Sequence, residues 1–140
     1  VHRYLSRLSG PMLDRIDLCV DVPPLEYDEL AGNSAPAESS ADIRRRVNAA
    51  RAVQTARFGP DGPTCNAHMG PNELKTHCQL DEACQELIRG AYEKLGLTAR
   101  SYDRILRVAR TIADLDGSDQ IQLPHLAEAL QYRPPEYFSV

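Results

Sequence analysis

One short run sets the terms on which this chain can fold. In Arg15-Ile16-Asp17-Leu18-Cys19-Val20-Asp21-Val22 the apolar residues Ile16, Leu18, Val20 and Val22 alternate with the rest, the period of two that marks a strand with one buried face. Pro23-Pro24 stops it, because proline has no backbone donor for a ladder. No second comparable run occurs, and one strand cannot make a sheet. The core must therefore be built from helices, and this strand either lies idle or belongs to a sheet whose other strands are missing.

The helical pattern begins at residue 39. Ser39 or Ser40 is a good N-cap with Asp42 in the following turn, which predicts a helix to about Phe58, with Ile43, Val47, Ala50 and Val53 as its apolar stripe. Gly59-Pro60-Asp61-Gly62-Pro63 ends it. Residues 64–80 read as loop with a helical turn around Glu73–His77. A second helix is predicted over 81–95, with Cys84, Leu87, Ile88, Ala91 and Leu95 on one face and Gly96 as its stop. A third begins after Thr98 and runs to about Leu115, ending before Gly117, with core residues Ile105, Val108, Ala109 and Ile112. A fourth carries Pro124 in its first turn and places Leu123, Leu126, Ala127 and Leu130 on one side. The expected organisation is a segment 1–24, a linker 25–38 containing Gly32-Asn33-Ser34-Ala35-Pro36, and a mainly α bundle over 39–140.

Charge is unevenly placed. The chain of 140 residues has a net charge of −4, yet residues 31–60 hold five Arg against two acids. Arginine supplies 14 of the 16 basic residues, and its planar fork of donors suits phosphate and carboxylate. No run approaches the roughly 20 apolar residues that cross a bilayer, and no signal-peptide pattern opens the chain, so a cytoplasmic protein without membrane association is expected. The first residue is Val1 rather than Met, which fits a piece of a longer protein.

Two groups of residues could carry chemistry. At about 100° per residue, Arg100, Arg104 and Arg107 of the third helix fall within about 60° of one another, with Arg110 further round. Such a stripe suits an anion, but spacing alone favours a solvated face paired with Asp103, Asp114 and neighbouring acids. Arg15, at the start of the strand, sits where a sheet rim meets a ligand or a neighbouring subunit, or where Asp14 or Asp17 would pair with it. Cys65, His68, Cys78 and Cys84, with His77 nearby, have spacings that match no common zinc pattern, and no metal site is expected.

Three segments together carry a resemblance. Ser9-Gly10-Pro11-Met12-Leu13-Asp14-Arg15-Ile16-Asp17-Leu18, then Glu38-Ser39-Ser40-Ala41-Asp42-Ile43-Arg44, and the long run Leu97-Thr98-Ala99-Arg100-Ser101-Tyr102-Asp103-Arg104-Ile105-Leu106-Arg107-Val108-Ala109-Arg110-Thr111-Ile112-Ala113-Asp114-Leu115 resemble the C-terminal part of magnesium-chelatase-like AAA+ ATPases, in particular the YifB/ComM competence-protein group. The tail Ile121–Arg133 continues the likeness. The resemblance implies a lid domain attached to a remnant of the AAA+ core. It maps an arginine finger, acting on a neighbouring subunit's ATP, onto Arg15, and a sensor 2 arginine onto Arg100. Arg104 and Arg107 lie on the same stripe as weaker nucleotide candidates.

The implied parent is a hexameric motor that couples ATP and Mg2+ to work on DNA during natural transformation, with its own core and neighbouring subunits as partners. A chelatase-type motor subunit is the alternative within the family. A stand-alone helical DNA-binding module, using the arginine-loaded helix 40–58, is the rival outside it. Neither Lys75 nor Lys94 follows a glycine, so no phosphate-binding loop is present, and no Walker B acids are recognised. The stretch alone is expected neither to hold a cofactor nor to hydrolyse ATP.

Overall fold

The computed structural model describes residues 15–24, 27 and 37–132. Five α-helices and one 3-10 turn form the described part: α1 Ser40–Phe58, the 3-10 turn Asn66–His68, α2 Pro71–His77, α3 Glu82–Leu95, α4 Ala99–Leu115 and α5 Leu123–Gln131. The expected helical bundle is present, and its long helices begin and end within a residue or two of the predicted limits. The turn predicted at 73–77 is the second half of a two-turn helix that starts at Pro71. Residues 1–14, most of the linker 25–38 and the end of the expected bundle, 133–140, lie outside the described residues.

Local chemistry explains the boundaries. Ser39, Asp81 and Thr98 each accept a backbone N–H three residues ahead, at 3.2, 2.8 and 3.2 Å, so α1, α3 and α4 start on side-chain caps. The Glu73 carboxylate accepts the Gly70 N–H at 2.9 Å and holds the start of α2. At the end of α3, Gly96 takes the left-handed conformation (φ 59°, ψ 42°) and its N–H returns to the Tyr92 carbonyl. A side chain at that φ would be strained, which is why the helix stops there.

Helix α4 is the centre of the bundle. It packs against α5, α1, the 3-10 turn and α2, while α3 closes onto α5. Ile105, Leu106, Ala109 and Ala113 are buried with Met69, Leu74, Ile88, Ile121 and Leu126, and Val108 and Ile112 lie half-buried at its edge. The small Ala109 and Ala113, both fully buried, let neighbouring backbones approach α4 closely.

Two expectations need correction. Residues 16–24 form no strand: Ile16, Leu18, Val20 and Val22 are 37%, 51%, 67% and 81% exposed. A strand exists only with a ladder, and among the described residues no extended partner runs beside it. The segment is instead attached to the bundle at its start. The second correction concerns α1, whose apolar stripe is buried only at Ala50. Its other buried residue is Gln54, while Ile43, Val47 and Val53 remain 43–44% exposed. Only the second half of α1 is held against α4.

Candidate functional site

Arg100 occupies the first turn of α4 and is exposed. The Thr98 side chain and carbonyl take the N–H groups of Ser101 and Tyr102, at 3.2 and 3.0 Å. The N–H groups of Ala99 and Arg100 have no acceptor among the described residues. An exposed guanidinium therefore stands beside free backbone donors at the positive end of a 17-residue helix dipole. A cation there is itself unfavourably placed, and an anion relieves both charges at once.

The rest of the arginine stripe is turned to other uses. Arg104 is buried, at 6% exposure, and its Nη1 donates to the Ile16 carbonyl at 2.6 Å. Arg107 uses both Nε (3.1 Å) and Nη2 (2.8 Å) on the Met69 carbonyl, which locks α4 to the loop between the 3-10 turn and α2. Arg110 is inside the bundle. It donates to the carbonyls of Ser118 and Asp119, at 2.5 and 2.8 Å, and to Asp114 Oδ1 at 3.1 Å.

Arg15 is exposed, beside the Ile16 carbonyl that Arg104 holds. A second tie lies close by, where the Cys19 N–H donates to the Tyr132 carbonyl at 2.9 Å. Between these ties, Asp17 and Leu18 border a cavity of about 300 Å3 shared with Arg104, Arg107, Thr111 and Tyr132. Arg15 is thus carried by a short segment fixed to α4 and to the end of α5. Neither Arg15 nor Arg100 is among the described residues that line this cavity.

The most tightly built polar cluster was not singled out from the sequence. Asp114 is completely enclosed, and its carboxylate receives Arg57 Nη1 (2.9 Å), Arg57 Nη2, Asn66 Nδ2 (2.8 Å) and Arg110 Nε. Burial opposes its ionisation, but the hydrogen bonds from Arg57 and Asn66 and the charge of Arg110 outweigh burial and hold the carboxyl below its ordinary range. The same pairing raises Arg57 above its usual value. Asn66 adds bonds to Thr111 Oγ1 (3.1 Å) and, through its N–H, to Gln54 Oε1 (3.1 Å). One carboxylate therefore joins α1, the 3-10 turn and α4. The signal was available in the i,i+4 spacing of Arg110 and Asp114 on the face that carries Ala109 and Ala113.

His125 is a second buried polar residue whose role is structural. Its Nδ1 accepts the Gln122 N–H at 3.0 Å, so it serves as an internal cap for α5, while Nε2 faces Asp116 Oδ2 at 3.1 Å. The cysteine and histidine residues do not converge: among the described residues no three potential ligands lie together. Cys78 and Cys84 are buried, and burial pushes both thiols up to about 11.

Comparison with known proteins fits this architecture. Residues 37–133 match the family described as magnesium chelatase, subunit ChlI C-terminal, and residues 1–30 match magnesium chelatase, subunit ChlI. The chain belongs to the magnesium-chelatase-like family. It is 45% identical over 133 residues to the competence protein ComM of Haemophilus influenzae and 43% identical over 131 residues to the protein YifB of Escherichia coli. These alignments take in 95% and 94% of the chain but 25% of each relative, so it spans about a quarter of their length. The described helices lie within the first of the two family matches and residues 15–24 within the second. None of the described helices is long and apolar enough to cross a membrane.

Proposed function

We propose that this chain is the C-terminal lid region of an ATP-driven ring motor, sensing nucleotide through Arg100 and acting on a neighbouring subunit's nucleotide through Arg15. The observation that carries this reading is the exposed Arg100 guanidinium beside uncommitted N–H donors at the head of the helix on which the bundle is organised. A phosphate bound there would pull on α4 and, through it, on every helix packed against it.

Arg15 complements this site. Its exposed fork, on a segment tied to α4, suits the charge that develops on a transferred phosphoryl group. The guanidiniums of Arg104 and Arg107 are engaged by the carbonyls of Ile16 and Met69. They enter the proposal as positioning residues: Arg104 relates the Arg15 segment to α4, and Arg107 fixes the loop behind it. ATP and Mg2+ would be bound mainly by parts of the full-length protein outside this chain. The name of the Haemophilus relative, a competence protein, favours DNA as the substrate of the whole motor over a chelatase role.

The test uses the full-length protein. Arg15→Ala should lower ATP turnover about a thousandfold while leaving ATP binding nearly unchanged, as expected for a group that acts in the transition state. Arg100→Ala should weaken nucleotide binding as well as turnover. Unchanged turnover in both variants would end this reading.

A further inference from the structure

Helix α1 carries five arginines, and three of them are paired within the chain: Arg45 with Asp42, Arg46 with Glu38 and Arg57 with Asp114. Arg44 and Arg51 are exposed and form no ion pair with any described residue. They lie on one stripe with Asn48 and Thr55, at i, i+4, i+7 and i+11. Beside that stripe are Ile43 and Val47, the half-exposed apolar residues of the part of α1 that α4 does not cover.

Helix α3 presents the complement. Glu82, Glu86, Arg89 and Glu93 form an exposed stripe with the same i, i+4, i+7, i+11 spacing and a net charge of −2. Beside it runs an open groove of about 480 Å3 bordered by Leu80, Ile88, Tyr92 and Tyr102, with Tyr92 half exposed. No described residue pairs with these acids. Both stripes are solvent-facing, so the chain does not satisfy them internally.

The two stripes match only in one direction. Set antiparallel, Arg44 faces Glu93, Asn48 faces Arg89, Arg51 faces Glu86 and Thr55 faces Glu82. The single basic residue of the α3 stripe thus meets an amide that accepts from it, and each unpaired arginine meets a carboxylate. Each stripe extends about 16 Å along its helix at 1.5 Å per residue. Taking about 100° per residue, the apolar residues lie on the same rotational side of the charged stripe on both helices, so the antiparallel setting also brings Ile43 and Val47 against the groove. A parallel setting would put the apolar strip of each helix against the charges of the other.

We propose that α1 of one copy of this chain docks antiparallel along α3 of the next, a head-to-tail contact between lids. Because the two surfaces differ, the contact is heterologous and propagates from copy to copy, closing a ring where the rotation permits. It deepens the ring reading given above by naming a seam, but it uses neither Arg15 nor Arg100 and needs no nucleotide. Its failure is therefore distinguishable from the failure of the motor reading.

Sedimentation of the 140-residue chain over a concentration series, without nucleotide, tests it. The unmodified chain self-associates. Arg44→Glu with Arg51→Glu weakens association at least about tenfold through like-charge contact, and Glu86→Arg with Glu93→Arg does the same. An equimolar mixture of the two double variants restores association, because each reversed stripe then finds its complement; this recovery also shows that both variants are folded. The proposal is overturned if the unmodified chain stays monomeric throughout, if either double variant associates like the unmodified chain, or if the mixture does not recover. It is equally overturned if the α1 reversal abolishes binding of a DNA duplex but leaves self-association intact, which would make the stripe a nucleic-acid surface.

Discussion

Arg104 donates a 2.6 Å hydrogen bond to the carbonyl of Ile16, across 88 positions of sequence. The bond comes from a charged donor inside the bundle and ends on the carbonyl of the residue that follows Arg15. It makes the position of the candidate finger depend on the helix that carries Arg100.

Arg104→Ala should therefore loosen residues 15–24 before it unfolds the bundle. A charge-assisted bond of this kind contributes about 1.5–3 kcal/mol, so hydrogen exchange at the nearby Cys19 amide should accelerate about tenfold or more. Arg104→Lys, which keeps a charged donor, should recover part of the protection. Equal exchange in all three proteins would show that the Cys19–Tyr132 bond alone holds the segment.

Asp114 should be the least replaceable polar residue of the bundle. Asp114→Asn leaves Arg57 and Arg110 enclosed without their carboxylate, a loss of about 3–5 kcal/mol measurable by urea unfolding. Its folded pKa lies below the unfolded value of about 3.9, so the unfolded chain binds the proton more readily in the interval between them. The stabilisation is complete above that unfolded value and is lost as pH falls through the folded one. Asp114→Asn should thus remove this contribution to acid unfolding as well as lower stability at neutral pH.

The helices were legible because their signals are local. Ser39, one of the two serines read as a cap, caps α1, Asp81 and Thr98 cap at the starts read for α3 and α4, and Gly96 ends α3 where it stands in the sequence. What the sequence hid is tertiary. Periodicity set Arg100, Arg104 and Arg107 on one stripe with Arg110 further round, and only packing separates an exposed Arg100 from arginines spent on carbonyls. The α1 stripe failed for the same reason: period tells which residues share a face, not how far along the helix a partner extends. The alternation of Ile16–Val22 is a genuine strand signal without its ladder, and a chain with one such run leaves those residues exposed.

The cysteines should divide cleanly in a thiol-labelling experiment. Cys78 and Cys84 are buried, and their thiols are pushed up to about 11, so the reactive thiolate is scarce at neutral pH. Cys19 and Cys65 are partly exposed. Mass spectrometry after brief alkylation at pH 7.5 should find Cys19 and Cys65 modified, with Cys78 and Cys84 labelled only once urea opens the bundle. Early labelling of Cys84 would mean that α3 separates from α5 in the native state.

His77 should titrate below the ordinary histidine value. Its ring meets Phe58 edge to face at a centroid distance of 5.6 Å, and burial is the main cause of the shift. The charges of Arg57 and Arg110 push in the same direction, while Glu73 opposes them. A base with a lowered folded pKa is neutral when folded over a range where the unfolded chain is already protonated. Its contribution is therefore complete above the unfolded value of about 6.5 and is lost as pH falls through the folded one. Ring-proton NMR should place the His77 midpoint below the ordinary histidine value of about 6.5, and Arg57→Met should move it upward by removing one cation. A midpoint unmoved by Arg57→Met would leave burial against Phe58 and the charge of Arg110 as the causes of the shift.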